Sequence, residues 1–493
     1  MKRFLTPKLT LSVSLSLLTL TLPATAWANT PDKLYQDNCL SCHGEQRLGG
    51  MGPALLPENL GRLKPEDAKK VISQGRPSTQ MPAFQKTLSS ADIEALAAYI
   101  YTPPVVTPTW AEADMLASFV QHVDQASLPD QPVFKADPKN LFVVVELGDH
   151  HATILDGDTF EPIHRFATRF ALHGGPKFSP DGRFVYFASR DGWISKFDIY
   201  NLKTVAEIRA GINTRNLAIS FDGRYAMVAN YLPHSLVLLD TDTMKPLKVY
   251  PTDGRVSAVY TAPPRQSFIA ALKDSQTILE IPYQASFTAK TLPTTTYLDD
   301  FFFDPDYRHL IGAARDGKHA QVIDLNDGKT IADIPLPGMP HLGSGITWTY
   351  QGKTVMATPH LQEGKVSIID MSNWQVIKQI DTLGPGFFMR SHDNSPYAWV
   401  DVFFGPNKDA VHLIDKTTLE IAHTLRPEPG KTAAHVEFTQ DGRHALLSIW
   451  EDEGAVIVYD SQTLKEIKRL PMKKPSGKYN VYNKTTYAAG TSH

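Results

Sequence analysis

Cys39-Leu40-Ser41-Cys42-His43 places two thiols three residues apart with an imidazole directly behind them. Thiols so spaced form thioether bonds to the vinyl groups of a haem, and the adjacent histidine then reaches the iron, which is the C-x-x-C-H pattern of covalent haem c. The competing chemistry is a C-x-x-C disulfide or redox pair. That reading leaves His43 without a task, whereas the haem uses His43 and both cysteines of the chain. An electron-transfer haem takes a sixth ligand, and a methionine there raises its potential. Met81, in the loop Gln80-Met81-Pro82-Ala83-Phe84, is placed for that part, its other reading being a packing residue. Met51 and His122 are weaker alternatives. One covalent haem c is expected, held by Cys39, Cys42, His43 and Met81.

A second set of reactive residues recurs at one position of a repeat. His173, Arg215, Asp299-Asp300, His341, Arg390 and His435 each precede a turn and a run of apolar alternation, as in Phe178-Ser-Pro-Asp-Gly-Arg183. The runs end on Asp156, Asp198, Asp240, Glu280, Asp324, Asp370, Asp415 and Asp460, spaced 40 to 46 residues apart. Eight such units with about four strand-sized runs each predict an eight-bladed β-propeller. An α/β fold would need helical patterns of about 10–15 residues between strands, and none occur. The terminal Lys478–Asn483 is strand-like and suited to closing the ring. In a propeller the segments entering the innermost strands converge near the axis. Three histidines on equivalent segments therefore predict a metal or cofactor in the funnel. Any one of them alone would read as a strand-end residue beside an empty channel. His150, His164, His309, His319, His423 and His444 share no such position and read as ordinary.

The remaining elements frame these two centres. Lys2, Arg3 and Lys8, the apolar Leu9–Leu22 and Ala26-Trp27-Ala28 make a secretory leader over 1–28, so the expected compartment is the periplasm. Its removal takes away three positive charges and changes the net charge from -3 to -6, which argues against a nucleic-acid partner. No later apolar run is long enough to span a bilayer. With 42% hydrophobic and 20% charged residues the chain reads as globular, and its 36 Pro and 31 Gly fit many turns. A small all-α cytochrome c domain is expected over 29–102, with a first helix Pro31–Cys42. A last helix, Ser90–Tyr101, turns Ile93, Leu96, Ala97 and Ile100 to one side. A linker follows over 103–136. Thr109 and Glu112 suggest a capping box opening a helix to about Gln125, with Leu116, Phe119 and Val123 on one face. The propeller occupies 137–493.

A haem c domain followed by eight repeats resembles cytochrome cd1 nitrite reductase and its relatives. The local matches are Arg190-Asp191-Gly192, Val205-Ala206-Glu207-Ile208, Thr358-Pro359-His360-Leu361 and Asn480-Val481-Tyr482-Asn483. The resemblance implies a non-covalent haem d1 in the funnel, with His173 as proximal iron ligand and Arg190 and Arg215 on the macrocycle's carboxylates. Arg390 is a candidate for a further carboxylate. Reductases of this family carry two distal histidines that protonate nitrite. His341 falls on one position, but Asp299 aligns with the other, and His435 stands where the reductases have a non-ionisable residue. The pattern is more similar to the dihydro-haem d1 dehydrogenases of haem d1 biosynthesis. That resemblance implies conversion of a propionate to an acrylate, with electrons passing to haem c. His341 and His435 are then the catalytic candidates, His341 for proton abstraction and His435 for holding the substrate carboxylate. The tetrapyrrole is the expected substrate. Cytochrome cd1 nitrite reductase and a periplasmic electron acceptor are expected as transient partners of a monomer. Two other functions stay open: a nitrite reductase with an altered distal pocket, and a non-catalytic haem d1 carrier.

Overall fold

The computed structural model describes residues 30–76, 81–284 and 286–486, so the expected leader over 1–28 lies outside the described residues. The first domain is helical: Pro31–Asn38, Leu40–His43, Pro57–Leu60, Pro65–Gln74 and Ser90–Ile100. The expected first helix is broken at Cys39, whose backbone leaves helical geometry (φ -120°, ψ -30°). Ser89 and Asp92 form a capping box at the last helix, which satisfies orphan N–H groups at its start. Ile93, Leu96, Ala97 and Ile100 are all buried, against Leu34, Tyr35, Leu60, Ala68 and Ile72.

The rest of the described chain is eight antiparallel sheets. Innermost strands, in ring order, are Pro475–Asn480, Lys177–Phe178, Asn213–Ile219, Val256–Ala262, Asp300–Phe303, Ile346–Tyr350, Met389–Arg390 and Ala433–Phe438. We number the blades 1 to 8 in that order. Blade 1 is closed by the C-terminal strand pairing with Leu141–Glu146, from Phe142↔Asn480 to Val145↔Gly477. The closing strand stops at Asn480, and Val481–Thr485 is a short helix capped by the Asn480 side chain.

The repeated residues have structural tasks. Asp181, Asp222 and Asp441 each accept a hydrogen bond from a preceding Ser or Thr hydroxyl and from the N–H of the following arginine. The intervening Gly182, Gly223 and Gly442 have φ near +75°, a conformation cheap only for glycine. Asp156, Asp240, Asp415 and Asp460 receive backbone N–H groups in the turn after the third strand. Most residues of the second strands are buried, and Ser267–Leu272 is buried from end to end, because neighbouring blades cover both faces. Outer strands alternate, as in Gln375–Asp381.

The linker departs from its sequence pattern. Its helix spans only Glu112–Ser118, and Asp114 caps the N–H of Ala111. Val120 and Gln121 then pair with Glu207 and Ala206, adding a fifth strand to blade 2. Met115, not Leu116, is the buried side chain of the helix. The open edge of blade 2 offers unpaired N–H and C=O groups, and their satisfaction outweighs the helical spacing.

Candidate functional site

In the first domain His43 is buried, and its Nδ1 lies 2.7 Å from the Pro53 carbonyl. A proton on Nδ1 donated there leaves Nε2 as the ligating nitrogen, the usual second contact of a metal-bound imidazole. Gly52 permits this placement, since a Cβ there would fall 2.9 Å from His43 Cε1. Cys39 and Cys42 are not joined in a disulfide. Burial and the neighbouring Cys42 push the Cys39 thiol up to about 11. A redox-active C-x-x-C needs a lowered thiol pKa, so the local environment disfavours that reading. Met81 packs against the same core as Cys39 and Leu40. Of the alternative ligands, Met51 is 68% exposed. His122 is bound to Glu207 on the outer edge of blade 2, in a cleft where Arg169 and Ser195 also bond that carboxylate.

In the propeller, His173 precedes the innermost strand of blade 2. Gly174 and Gly175 let the chain pass Asn216 and the Tyr479 ring, where added Cβ atoms would sit 2.5 and 3.0 Å from them. Nδ1 of His173 is 2.6 Å from the Arg215 carbonyl. Arg215 Nη1 is 3.2 Å from both ring nitrogens. Such equal distances put the guanidinium over the ring face, which leaves the in-plane lone pair of Nε2 free. Burial, then Arg215 and Arg190, hold His173 well below the usual imidazole range, and a neutral imidazole is the iron-binding form. Arg190 makes no side-chain hydrogen bond or ion pair with any described residue. Burial and the neighbouring Arg62 and Arg215 push it down to about 9, still charged at neutral pH.

Blade 6 stands four places round the ring from blade 2, so His341 lies across the funnel from His173. His341 Nδ1 is 2.5 Å from the Phe387 carbonyl, and Nε2 is 3.8 Å from Asp300. His435, on blade 8, is two places from each of the other two, a quarter turn round rather than opposite His173. It adopts φ +52° at a bulge between Ala434 and Val436, a conformation costly for a non-glycine residue and typical of functional positions. Its side chain is buried between the Phe388 and Tyr479 rings, centroids 4.9 and 5.1 Å away. Its Nδ1 has no partner among the described residues. Burial and the cations Lys478, Arg390 and Lys484 keep the ring well below its usual pKa. Arg390, buried on blade 7 between the two histidines, stands 3.8 Å from Glu437.

Several contributors carry no periodic signal in the sequence. Asp401 accepts from the N–H groups of Phe387 (2.8 Å), Phe388 (3.0 Å) and His435 (3.2 Å). Lys478 donates to the His435 carbonyl and to Ser448. Phe387, Phe388, Phe403 and Trp450 form an aromatic wall beside both histidines. The doublets Phe387-Phe388 and Phe403-Phe404 were the one visible hint of it. Asp299 is ion-paired with Lys273 and with Arg315 at 3.0 Å. The guanidinium of Arg190, the partnerless buried Nδ1 of His435 and the aromatic cluster beside it suit an apolar macrocycle bearing carboxylates.

The fold and site define a c-type cytochrome joined to a haem d1-binding propeller, and the chain belongs to the cytochrome D1 heme domain family, which matches residues 136–484. Residues 26–100 match cytochrome c oxidase, cbb3-type, subunit III. The chain is 59% identical to the dihydro-heme d1 dehydrogenase of Pseudomonas aeruginosa, over 94% of this chain and 95% of that one. It is 26% identical to the nitrite reductase of Stutzerimonas stutzeri, over 92% of each. A solved structure of dihydro-heme d1 dehydrogenase NirN in complex with DHE superposes with a TM-score of 0.91 at 58% identity, covering 92% of this chain and all of that one. No helix among the described residues is long and apolar enough to cross a membrane.

Proposed function

We propose that the protein oxidises dihydro-haem d1 to haem d1, turning a propionate side chain into an acrylate and passing the electrons to haem c on Cys39 and Cys42. The observation that carries this is the pairing of Asp299 with Lys273 and Arg315, which commits the residue that the family resemblance sets on a reductase's second proton-donor position, while His341 and His435 flank one aromatic cluster. The relative named dihydro-heme d1 dehydrogenase supports the same reading.

In this reading His173 Nε2 holds the macrocycle's iron. Arg190, Arg215 and Arg390 hold carboxylates, for which a planar guanidinium is matched. Desaturation removes two protons and two electrons. His341 Nε2, with Asp300 3.8 Å away, takes the first proton, the second passes to solvent, and the electrons leave one at a time through haem c to the external acceptor. His435, neutral in cationic surroundings, orients the reacting carboxylate. Haem c, held by His43 and Met81, supplies a one-electron acceptor and so serves twice per desaturation. The proposal includes the division at 1–28, 29–102, 103–136 and 137–493, a periplasmic monomer, and transient contact with cytochrome cd1 nitrite reductase and an electron acceptor.

Anaerobic incubation of the haem c-loaded protein with dihydro-haem d1, without nitrite, is expected to give haem d1. A carrier would bind the substrate and leave it unchanged, and that result overturns the proposal. His341→Ala and His435→Ala proteins that still bind should convert it more slowly, by about a hundredfold for loss of a base. Wild-type rates in both would remove these residues from the mechanism.

A further inference from the structure

The short helix Pro57–Leu60 and the segment before it lie on the end of blade 3. Asn59 Nδ2 donates to the Ile212 carbonyl at 2.9 Å, and Ala54 and Leu56 pack against Ile212 and Leu232. Ile212 directly precedes the strand that carries Arg215, and Leu232 directly follows Tyr231. Two residues beyond Leu60 the chain presents Arg62 at this junction. Its guanidinium belongs to one electrostatic cluster with Arg190, Arg215 and His173. Desolvation of its partly covered side chain and the charge of Arg215 lower Arg62, and Arg62 in turn adds to the burial that lowers Arg190. His173, Arg190 and Arg215 are half-buried and Arg62 is exposed, so the cluster borders open funnel rather than dry core.

Neither Arg62 nor Arg190 has a side-chain hydrogen bond or ion pair with any described residue, and Arg215 is bonded only to the Ser257 carbonyl and the His173 ring. Three guanidiniums thus act on one another, and none is ion-paired with a carboxylate among the described residues. Such repulsion is relieved when an anion enters. We propose that Arg62 is a substrate-binding residue supplied by the haem c domain, holding a tetrapyrrole carboxylate together with Arg190. This rests on the reading of the funnel as a tetrapyrrole site. A carboxylate shared between the two arginines spans the junction of the domains, so a filled funnel ties the electron-accepting domain to the macrocycle.

The test is absorbance titration of the haem c-loaded protein with dihydro-haem d1 and with its methyl ester, in wild type, Arg62→Ala and Arg62→Lys. Arg62 is exposed, so the substitutions leave the fold intact, which haem c spectra and thermal unfolding verify. Arg62→Ala should bind the free acid about tenfold more weakly and the ester no differently. Arg62→Lys should fall between, because ammonium keeps the charge and loses the fork. Wild-type affinity should also fall more steeply with salt than that of Arg62→Ala. Equal affinities for the free acid, or an equal loss for acid and ester, overturn the proposal. Wild-type protein that binds without turnover overturns the dehydrogenase reading and leaves Arg62 judged by this same titration. Wild-type protein that binds neither form overturns both.

Discussion

His43, His173 and His341 share one arrangement of the ring, with Nδ1 against a backbone carbonyl at 2.7, 2.6 and 2.5 Å. His360 differs. Its Nδ1 meets the Pro337 carbonyl and its Nε2 meets Ser367 at 2.9 Å, so both nitrogens are spent inside blade 6. That contrast separates histidines that can bind or accept from one that braces a strand. It leads to the first prediction: His173→Ala should bind dihydro-haem d1 about tenfold more weakly or more and change its spin state, with the haem c spectrum unchanged. Identical tetrapyrrole spectra and affinity would remove His173 from the iron. In the same way Met81→Ala should lower the haem c potential in a redox titration, since a thioether ligand raises it; an unaltered potential would direct attention to Met51. The Cys39–His43 cluster stands out in the sequence because thioether chemistry fixes its spacing, and the inner-segment histidines stand out because their position recurs. Asp401 does not, because it acts on Phe387 and His435 from 14 and 34 residues away and no period links them. Nor does the quarter-turn placement of His435, which depends on counting blades round a closed ring.

The elements around His341, Arg390 and His435 are irregular. The innermost strand of blade 8 bulges at His435, and that of blade 7 has only two residues, Met389 and Arg390. Asp401, the last residue of blade 7's second strand, joins the two irregularities. One oxygen holds Phe387 and Phe388, whose corner accepts the His341 proton, and the other holds His435. Burial pushes this carboxyl up to about 6, against three N–H bonds that pull it down. Asp401→Asn keeps the shape but replaces one acceptor oxygen with a donor facing N–H groups. Turnover should fall about ten- to hundredfold, the effect of about 1–3 kcal/mol in the barrier. Tetrapyrrole affinity should change by less than about threefold, and haem c spectra not at all. Unchanged turnover at matched occupancy would show that the two histidines do not depend on this tie. The linker teaches the complementary lesson about sequence patterns. Leu116, Phe119 and Val123 have helical spacing, yet Val120–Gln121 is a strand, because tertiary pairing at an open sheet edge outweighs a local period.

Across the whole molecule, the haem domain and the linker sit on blades 2 and 3 through a few directed contacts. Trp110 Nε1 donates to the Arg209 carbonyl at 2.8 Å, while the Arg209 guanidinium lies 4.6 Å from the Trp110 ring centre and donates to Leu48. Asp191 is enclosed at the same junction, where the Ala54 N–H and Arg209 favour its charged form but burial dominates and pushes it up to about 7. This carboxyl is expected to make folding stability depend on pH, in a direction that linkage fixes. The folded state holds the proton more tightly than the unfolded chain, whose carboxyl titrates near its ordinary value of 3.8. Folded protein therefore binds more protons between those two values, and the contribution of Asp191 to stability is fully present below the lower one. It is lost as pH rises through the window and levels off above about 7. Asp191→Asn can still accept from Ala54 and keeps the backbone carbonyl to which Arg209 Nε donates at 2.7 Å, but it cannot ionise. Thermal unfolding of the haem c-loaded proteins from pH 4 to 8 should show wild type losing stability relative to the variant across that window, with parallel behaviour above it. Every other titrating group is common to both proteins, so the difference between the curves isolates this one carboxyl. Curves that stay parallel throughout would mean that Asp191 is charged at the junction and that Arg209 outweighs its burial.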